Sequence, residues 1–171
     1  MSLLDKIGNA FEWVFITHTN ATLIVLFIIW RYYYLRKPIP EIIGSKVRSI
    51  NSMEEFDDIV NGSTVFSIID FYATWCPPCR RAAPIFAKMS MESDYSHIQF
   101  LKVNVNIAKD VARYFQVSAM PTFVLLQGTN TVIETQVGWS ESNVRNMLNN
   151  NAAAAAAAAD KNSKAGGGII T

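Results

Sequence analysis

Residues 65–79 read VFSIIDFYATWCPPC, an apolar run that leads directly into two cysteines. The part 65–72 is almost continuously apolar, which predicts a central strand covered on both faces. Cys76 and Cys79 are the only cysteines in the 171 residues. A strand that delivers a C-x-x-C pair to the start of a helix suits thiol–disulfide exchange, because helix amides and the helix dipole stabilise a thiolate on the first cysteine.

Two other uses of the cysteine pair fit less well. A structural zinc site needs about four ligands, and the two histidines, His18 and His97, lack finger-like spacing to the pair. A structural disulfide adds little stability when it closes so short a loop. The pair is therefore interpreted as redox-active, and the chemistry requires neither a metal nor an organic cofactor.

Composition limits the partners of the chain. The formal net charge is +1, which gives no electrostatic argument for binding nucleic acid. We therefore expect no nucleic-acid partner. Two cysteines alone do not decide between a reducing and an oxidising compartment.

The N-terminal part is strongly apolar. No charged side chain lies between Glu12 and Arg31, and residues 13–30 would extend about 27 Å as a helix, close to the minimum for crossing a bilayer. A cleaved signal peptide fits poorly, because no small-residue cleavage site follows; a buried or amphipathic helix is the other alternative. The sequence predicts a membrane anchor and linker at 1–45, with the span at 13–30 and a lipid membrane as partner.

Basic residues lie mainly after this span. Lys6 precedes it, and five follow it closely, namely Arg31, Arg36, Lys37, Lys46 and Arg48. The positive-inside rule then places the C-terminal side in the cytosol. We expect a single-pass membrane protein with a cytosolic catalytic domain, and the alternative is a domain in the lumen of the endoplasmic reticulum or in mitochondria.

The rest of the chain alternates strands and helices. Strands are predicted near residues 47–50, 65–72, 99–104, 122–126 and 131–137, and helices near 52–60, 79–91, 109–115 and 140–149. This order indicates an α/β domain at 46–149, with a mixed central sheet and helices on both faces. Residues 150–171 form a low-complexity tail rich in alanine and glycine. Its alanines favour an extension of the last helix, and the remainder is predicted to be disordered.

Several motifs together resemble the thioredoxin family over roughly residues 47–148. They are DFYATWCPPC at 70–79, Ala83-Pro84 in the following helix, FLKVNV at 100–105, AMPTF at 119–123 and Val137-Gly138. The resemblance implies a thioredoxin fold and a redox-active Cys76–Cys79 disulfide. Cys76 would attack a substrate disulfide, and Cys79 would resolve the mixed disulfide. The implied partners are protein disulfides as substrates and a thioredoxin reductase or a similar electron donor.

The resemblance also assigns roles to residues around the cysteines. Asp70 would act as a buried acid and base for Cys79, with Lys102 on the neighbouring strand as its partner. Pro121 would be cis and would place the backbone of Met120 beside the thiols, where an extended substrate can pair with it. The other substrate-binding residues implied are Trp75, Pro77, Pro78, Gly138 and Trp139.

The dipeptide Pro77-Pro78 departs from the Gly-Pro that most thioredoxins carry between the cysteines. Pro77 has no N–H and stiffens the approach to the helix, so the reduction potential and the electron donor stay open. Two further functions also stay open. One is a lumenal disulfide oxidase or isomerase with the opposite topology, and the other is a non-catalytic thioredoxin-like scaffold at a membrane.

Overall fold

The computed structural model describes residues 21–34, 37–60, 66–128 and 131–165, with side chains described up to residue 158. The chain divides into two compact units, Met1–Lys37 and Pro38–Thr171. In the first unit, residues 21–34 form helix α1. No helix within these described ranges is both long enough and apolar enough to cross a membrane. The predicted span at 13–30 lies partly outside the described residues, which begin at residue 21.

The second unit has the predicted order of strands and helices. In chain order its elements are β1 (Arg48–Ile50), α2 (Met53–Val60), β2 (Phe66–Tyr72), α3 (Pro77–Met89), β3 (Ile98–Asn104), α4 (Lys109–Tyr114), β4 (Thr122–Gln127), β5 (Thr131–Val137) and α5 (Glu141–Ala165). A short 3₁₀ turn, Ser93–Tyr95, lies between α3 and β3. Helix α3 begins two residues before its predicted start, because Cys76 caps it and both prolines tolerate the first helical turn.

The strands form one mixed sheet in the order β1-β3-β2-β4-β5. Strands β1 and β2 run parallel to β3, whereas β4 is antiparallel to β2 and β5. The predicted mixed sheet is therefore confirmed. Strand β2 lies at its centre, and Asp70 stands in register between Lys102 of β3 and Phe123 of β4.

Helices cover both faces of the sheet, because alternate residues of a strand point to opposite sides. Ile68 of β2 packs in one core with Phe86 of α3 and with α5. Its neighbour Ile69 packs in a second core with Phe56 of α2 and with α4. Asp70 lies two residues after Ile68 in the strand, so its side chain points to the same face of the sheet, which is the face that α3 covers.

The predicted extension of the last helix through the alanine run is confirmed, and the helix ends six residues beyond that run. Helix α5 continues through the alanine run to Ala165, so the residues predicted to be disordered are helical up to that point. Ala155 and Ala158 are buried in the same core as Met147. The high helix propensity of alanine and this packing together account for the extension.

Candidate active site

Cys76 and Cys79 form a disulfide bond at the N-terminus of α3. Cys76 is the N-cap residue of the helix, and its Sγ accepts a hydrogen bond from the backbone amide of Cys79 at 3.2 Å. Pro77 and Pro78 fill the first two helical positions and have no N–H to donate. The Cys79 amide and the helix dipole are therefore the features of this turn that stabilise a Cys76 thiolate.

The two cysteines differ in their access to solvent. Cys79 has no exposed surface, whereas Cys76 retains an exposed fraction of 3%. An external disulfide can therefore reach the pair only at Cys76. Among the described residues, no group of three or more His, Cys, Asp or Glu side chains is arranged to hold a metal ion.

The loop that leads into Cys76 is held by hydrogen bonds to its backbone. The guanidinium of Arg80 donates to the carbonyl oxygen of Thr74 at 3.1 Å, and the amide of Cys76 donates to the carbonyl oxygen of Ala73 at 3.2 Å. Arg80 thus ties the first turn of α3 to the loop that carries Trp75. The sequence pattern does not predict this positioning contact, since nothing in it pairs Arg80 with a backbone oxygen.

A second loop lies against the disulfide. The Met120–Pro121 peptide bond is cis, and the carbonyl oxygen of Met120 lies 3.7 Å from Sγ of Cys76. The amide of Gly138 donates to the carbonyl oxygen of Pro121 at 2.8 Å, and Gly138 has a φ of +82°. The structure therefore links the loop at 120–121 both to the redox pair and to the residue that follows β5.

Trp75 and Trp139 have different surroundings. The side chain of Trp75 directly precedes Cys76 in the chain and is 49% exposed. Trp139 is partly buried, and its ring centroid lies 5.6 Å from that of Phe123. Packing alone explains the position of Trp139, so its role in substrate binding stays a prediction. Pro77 is exposed and Pro78 is partly exposed next to the disulfide.

Asp70 lies beneath helix α3 in an apolar setting. Its exposed fraction is 3%, and its Oδ1 has no hydrogen-bond partner among the described residues. It borders a cavity of about 80 Å³ that Ala83 of α3 also lines. Burial raises the pKa of Asp70 to about 7, and the positive charge of Lys102 opposes that rise. Because Cys79 precedes Ala83 by one helical turn, α3 turns Cys79 toward the same side.

Lys102 does not form the predicted ion pair with Asp70. Its Nζ binds Oε1 of Glu41 at 2.6 Å, and it acts on Asp70 through its charge alone. Burial disfavours a charged Asp70, whereas the Glu41 side chain is 77% exposed and keeps its charge at little cost. Glu41 precedes Lys102 by 61 residues, and no local pattern connects the two in sequence.

The fold and this site define a thioredoxin-type disulfide oxidoreductase domain. The thioredoxin family model matches residues 47–150, and the chain belongs to the thioredoxin family. A thioredoxin from Neurospora crassa is 39% identical over 87 residues, which cover 50% of this chain and 68% of that protein. The solved structure of the thioredoxin from Malassezia sympodialis has a TM-score of 0.60 and 31% identity, covering 66% of this chain and 96% of that one.

A longer protein also shares this region. A peptide-N(4)-(N-acetyl-beta-glucosaminyl)asparagine amidase from Caenorhabditis elegans is 41% identical over 88 residues. These residues cover 50% of this chain but only 14% of the amidase. The likeness spans too little of that protein to attribute its named activity to this chain.

Proposed function

We propose that this protein is a membrane-tethered thiol–disulfide oxidoreductase that reduces protein disulfides. The observation that carries the reaction is the Cys76–Cys79 disulfide at the N-terminus of α3, next to the Met120–Pro121 loop. Each part of this arrangement has a use in disulfide exchange. The N-cap position favours a thiolate at Cys76, and the second cysteine lies within bonding distance of the first.

Reduction of a substrate proceeds in two exchanges. The Cys76 thiolate attacks one sulfur of the substrate disulfide, whose other sulfur leaves as a thiolate, and a mixed disulfide joins Cys76 to the substrate. Cys79 then gives its proton, through water, to the Asp70 carboxylate and attacks Sγ of Cys76. This step forms the Cys76–Cys79 disulfide and releases the second substrate thiolate. Two electrons pass to the substrate, whose thiolates take up protons from Asp70 and water.

Recycling reverses these steps with a dithiol donor such as a thioredoxin reductase. A donor thiolate attacks Cys76, and Cys79 leaves and takes a proton from the carboxyl group of Asp70. A second donor thiolate then attacks the mixed disulfide and restores the Cys76 thiolate. The pKa of Asp70 of about 7 suits both directions, because both protonation states are populated near neutral pH.

Substrate binding would use the surface around Cys76. The carbonyl oxygen of Met120 lies close to Sγ of Cys76 and is available to pair with an extended substrate backbone. Trp75 offers exposed apolar area beside it. The remaining substrate-binding residues of the proposal are Pro77, Pro78, Pro121, Gly138 and Trp139.

In this proposal the N-terminal segment attaches the protein to the membrane. Helix α1 exposes large apolar side chains along its length, from Leu23 to Trp30, and a helix that is apolar on all sides is unfavourable in water. The uncharged run at 13–30 and the basic residues after it support an anchor with a cytosolic catalytic domain. Carbonate extraction of membranes is the test, and release of the full chain into the soluble fraction would contradict the tether.

Serine variants test the reaction and the separate roles of the cysteines. Cys79→Ser should accumulate a mixed disulfide with substrate, because the resolving thiol is missing, whereas Cys76→Ser should accumulate none. The reverse pattern would exchange the two roles. A double serine variant that supports the cellular function as well as the wild type would favour the scaffold alternative.

The reduction potential separates a reductase from an oxidase. Equilibration of the full chain with glutathione buffers should give a value near about −270 mV for a reductant of the thioredoxin type. A value near about −180 mV or higher would favour a disulfide oxidase or isomerase in the lumen. The orientation of the chain would then be the opposite of the one proposed.

A further inference from the structure

The segment that precedes β1 lines the cavity beside Asp70. We call residues 38–45 the linker segment; it belongs to the same compact unit as the sheet. Ile39, Pro40 and Ile42 of this segment line the cavity together with Asp70. The segment also carries Glu41, whose carboxylate binds Lys102 at 2.6 Å. It therefore places both apolar side chains and a negative charge along the cavity.

The charged and titratable groups around Asp70 come from four places, one of which is helix α3 with Cys79, whose thiol titrates only when the disulfide is open. Strand β3 contributes Lys102, the linker segment contributes Glu41, and β2 itself contributes Tyr72, whose pKa is raised mainly by burial and is also influenced by Lys102, Asp70 and Glu41. Helix α3 and strand β4 otherwise present no charge here, because their residues along the cavity or in register with Asp70 are Ala83, Phe86, Ala87 and Phe123.

Lys102 is therefore the cation that can stabilise an ionised Asp70, but its ammonium group binds Glu41 and not Asp70. Asp70 and Lys102 are register partners on adjacent parallel strands, yet Nζ of Lys102 lies on the Glu41 carboxylate. Without Glu41, the full charge of Lys102 would act on Asp70 across the cavity. An opposite charge nearby favours the charged form of a carboxyl group.

We propose that Glu41 is a positioning residue of the redox centre: by binding Lys102 it withholds that cation from Asp70, so that the carboxyl group can both give and take the Cys79 proton at neutral pH. The proposal rests on the disulfide exchange proposed above. If Lys102 were not restrained, a smaller fraction of Asp70 would be protonated at neutral pH, and fewer molecules would have a proton for Cys79 when the disulfide is opened.

The pair with Glu41 is suited to this role because it contributes little to stability. An exposed ion pair is screened by solvent and stabilises a fold only slightly, so its removal should leave the structure intact. The Lys102 charge that the pair restrains does act on Asp70, and charges act more strongly across a buried, poorly solvated site than at an exposed one.

The test is a pH titration of the Asp70 carboxyl carbon by ¹³C NMR, on the full oxidised chain in detergent micelles. In Glu41→Gln the midpoint of Asp70 should move to lower pH by about half a unit or more, because the Lys102 charge is no longer compensated. The pH dependence of disulfide recycling should move in the same direction. The matched control is Glu134→Gln, which removes one carboxylate from the exposed part of β5 and should leave the midpoint unchanged.

A second set of variants, made with Lys102 already replaced, tests whether Glu41 acts on Asp70 through Lys102. In Lys102→Gln the midpoint of Asp70 should rise, and adding Glu41→Gln to that variant should then change it little. An unchanged midpoint in Glu41→Gln, or an equal fall in Glu134→Gln, would overturn the proposal. So would a full effect of Glu41→Gln in the Lys102→Gln background. The NMR titration measures the protonation of Asp70 and does not require catalytic turnover. A wild-type protein that reduces no disulfide would therefore refute the proposed function, and the titration would still test the role of Glu41.

Discussion

The backbone amide of Cys79 donates a hydrogen bond to Sγ of Cys76 at 3.2 Å. An N-cap side chain ordinarily accepts from the amides two and three positions after it. In this chain the amide two positions after the cap is absent, because Pro78 occupies that place. One of the two usual donors thus remains, and the stabilisation of the Cys76 thiolate depends on a single backbone hydrogen bond and the helix dipole.

Replacing Pro78 should strengthen the thiolate at Cys76. Pro78→Ala supplies the missing N–H, and one net hydrogen bond of about 1 kcal/mol corresponds to a rise of roughly fivefold in the thiolate fraction. The rate of alkylation of the reduced protein by iodoacetamide at slightly acidic pH measures that fraction. Pro77→Ala is the control, because the amide one position after the cap does not reach the cap side chain. Equal rates in the two variants would contradict the argument.

Asp70 should make the protein less stable as the pH rises. Its pKa of about 7 in the folded state lies above the ordinary value of 3.8, so the folded protein holds a proton that the unfolded chain releases. The cost of ionising the buried group is absent below about pH 4, grows between about pH 4 and 7, and is complete above that range.

Asp70→Asn should remove this pH-dependent cost. The free energy of unfolding should rise by up to about 4 kcal/mol above neutral pH and change little near pH 4. Urea unfolding of both proteins at a series of pH values measures the difference. A stability difference that does not vary with pH would show that the carboxyl group titrates normally in the folded protein.

We expect glycine to be required at position 138 because of its backbone conformation, and not because a side chain would lack space. Its φ is +82°, and a Cβ at this position would meet no atom within 4 Å. Gly138→Ala should therefore cost about 1–2 kcal/mol, the penalty of a left-handed conformation. Gly138→Asn should cost less, because asparagine tolerates that region better. Thermal unfolding compares the two, and a larger loss with asparagine would indicate a steric cause instead.

The alanine run should contribute to the stability of the domain. Ala155 is buried in the core beneath α5, whereas its neighbour Ala154 is exposed. Ala155→Asp should cost several kcal/mol, because it buries a charge without a partner. Ala154→Asp carries the same change in helix propensity and should cost about 1 kcal/mol or less. Equal losses of the free energy of unfolding in the two variants would mean that the run does not pack.

The local sequence determined most of the scaffold. Apolar alternation and turn residues were sufficient to predict the strands around Asp70 and the order of the helices, because these patterns reflect burial on one or both faces of a sheet. The packing of the alanine run of α5 against the core was not predictable in this way. Low-complexity alanine has the same helix propensity wherever it occurs, and only contacts such as those of Ala155 and Ala158 show that this run is packed.

What the sequence by itself determined about this protein is the redox pair and the strand that carries it, since each is a short motif with a local physical cause. The cis bond before Pro121 was expected from the resemblance to the thioredoxin family. Only the tertiary structure decided the partner of Lys102. Strand pairing placed Lys102 beside Asp70, but the return of the linker segment brought Glu41 to within 2.6 Å of its ammonium group. Charge pairing between distant residues depends on chain topology and on the relative cost of burying each carboxylate. The sequence around each residue indicates neither of these.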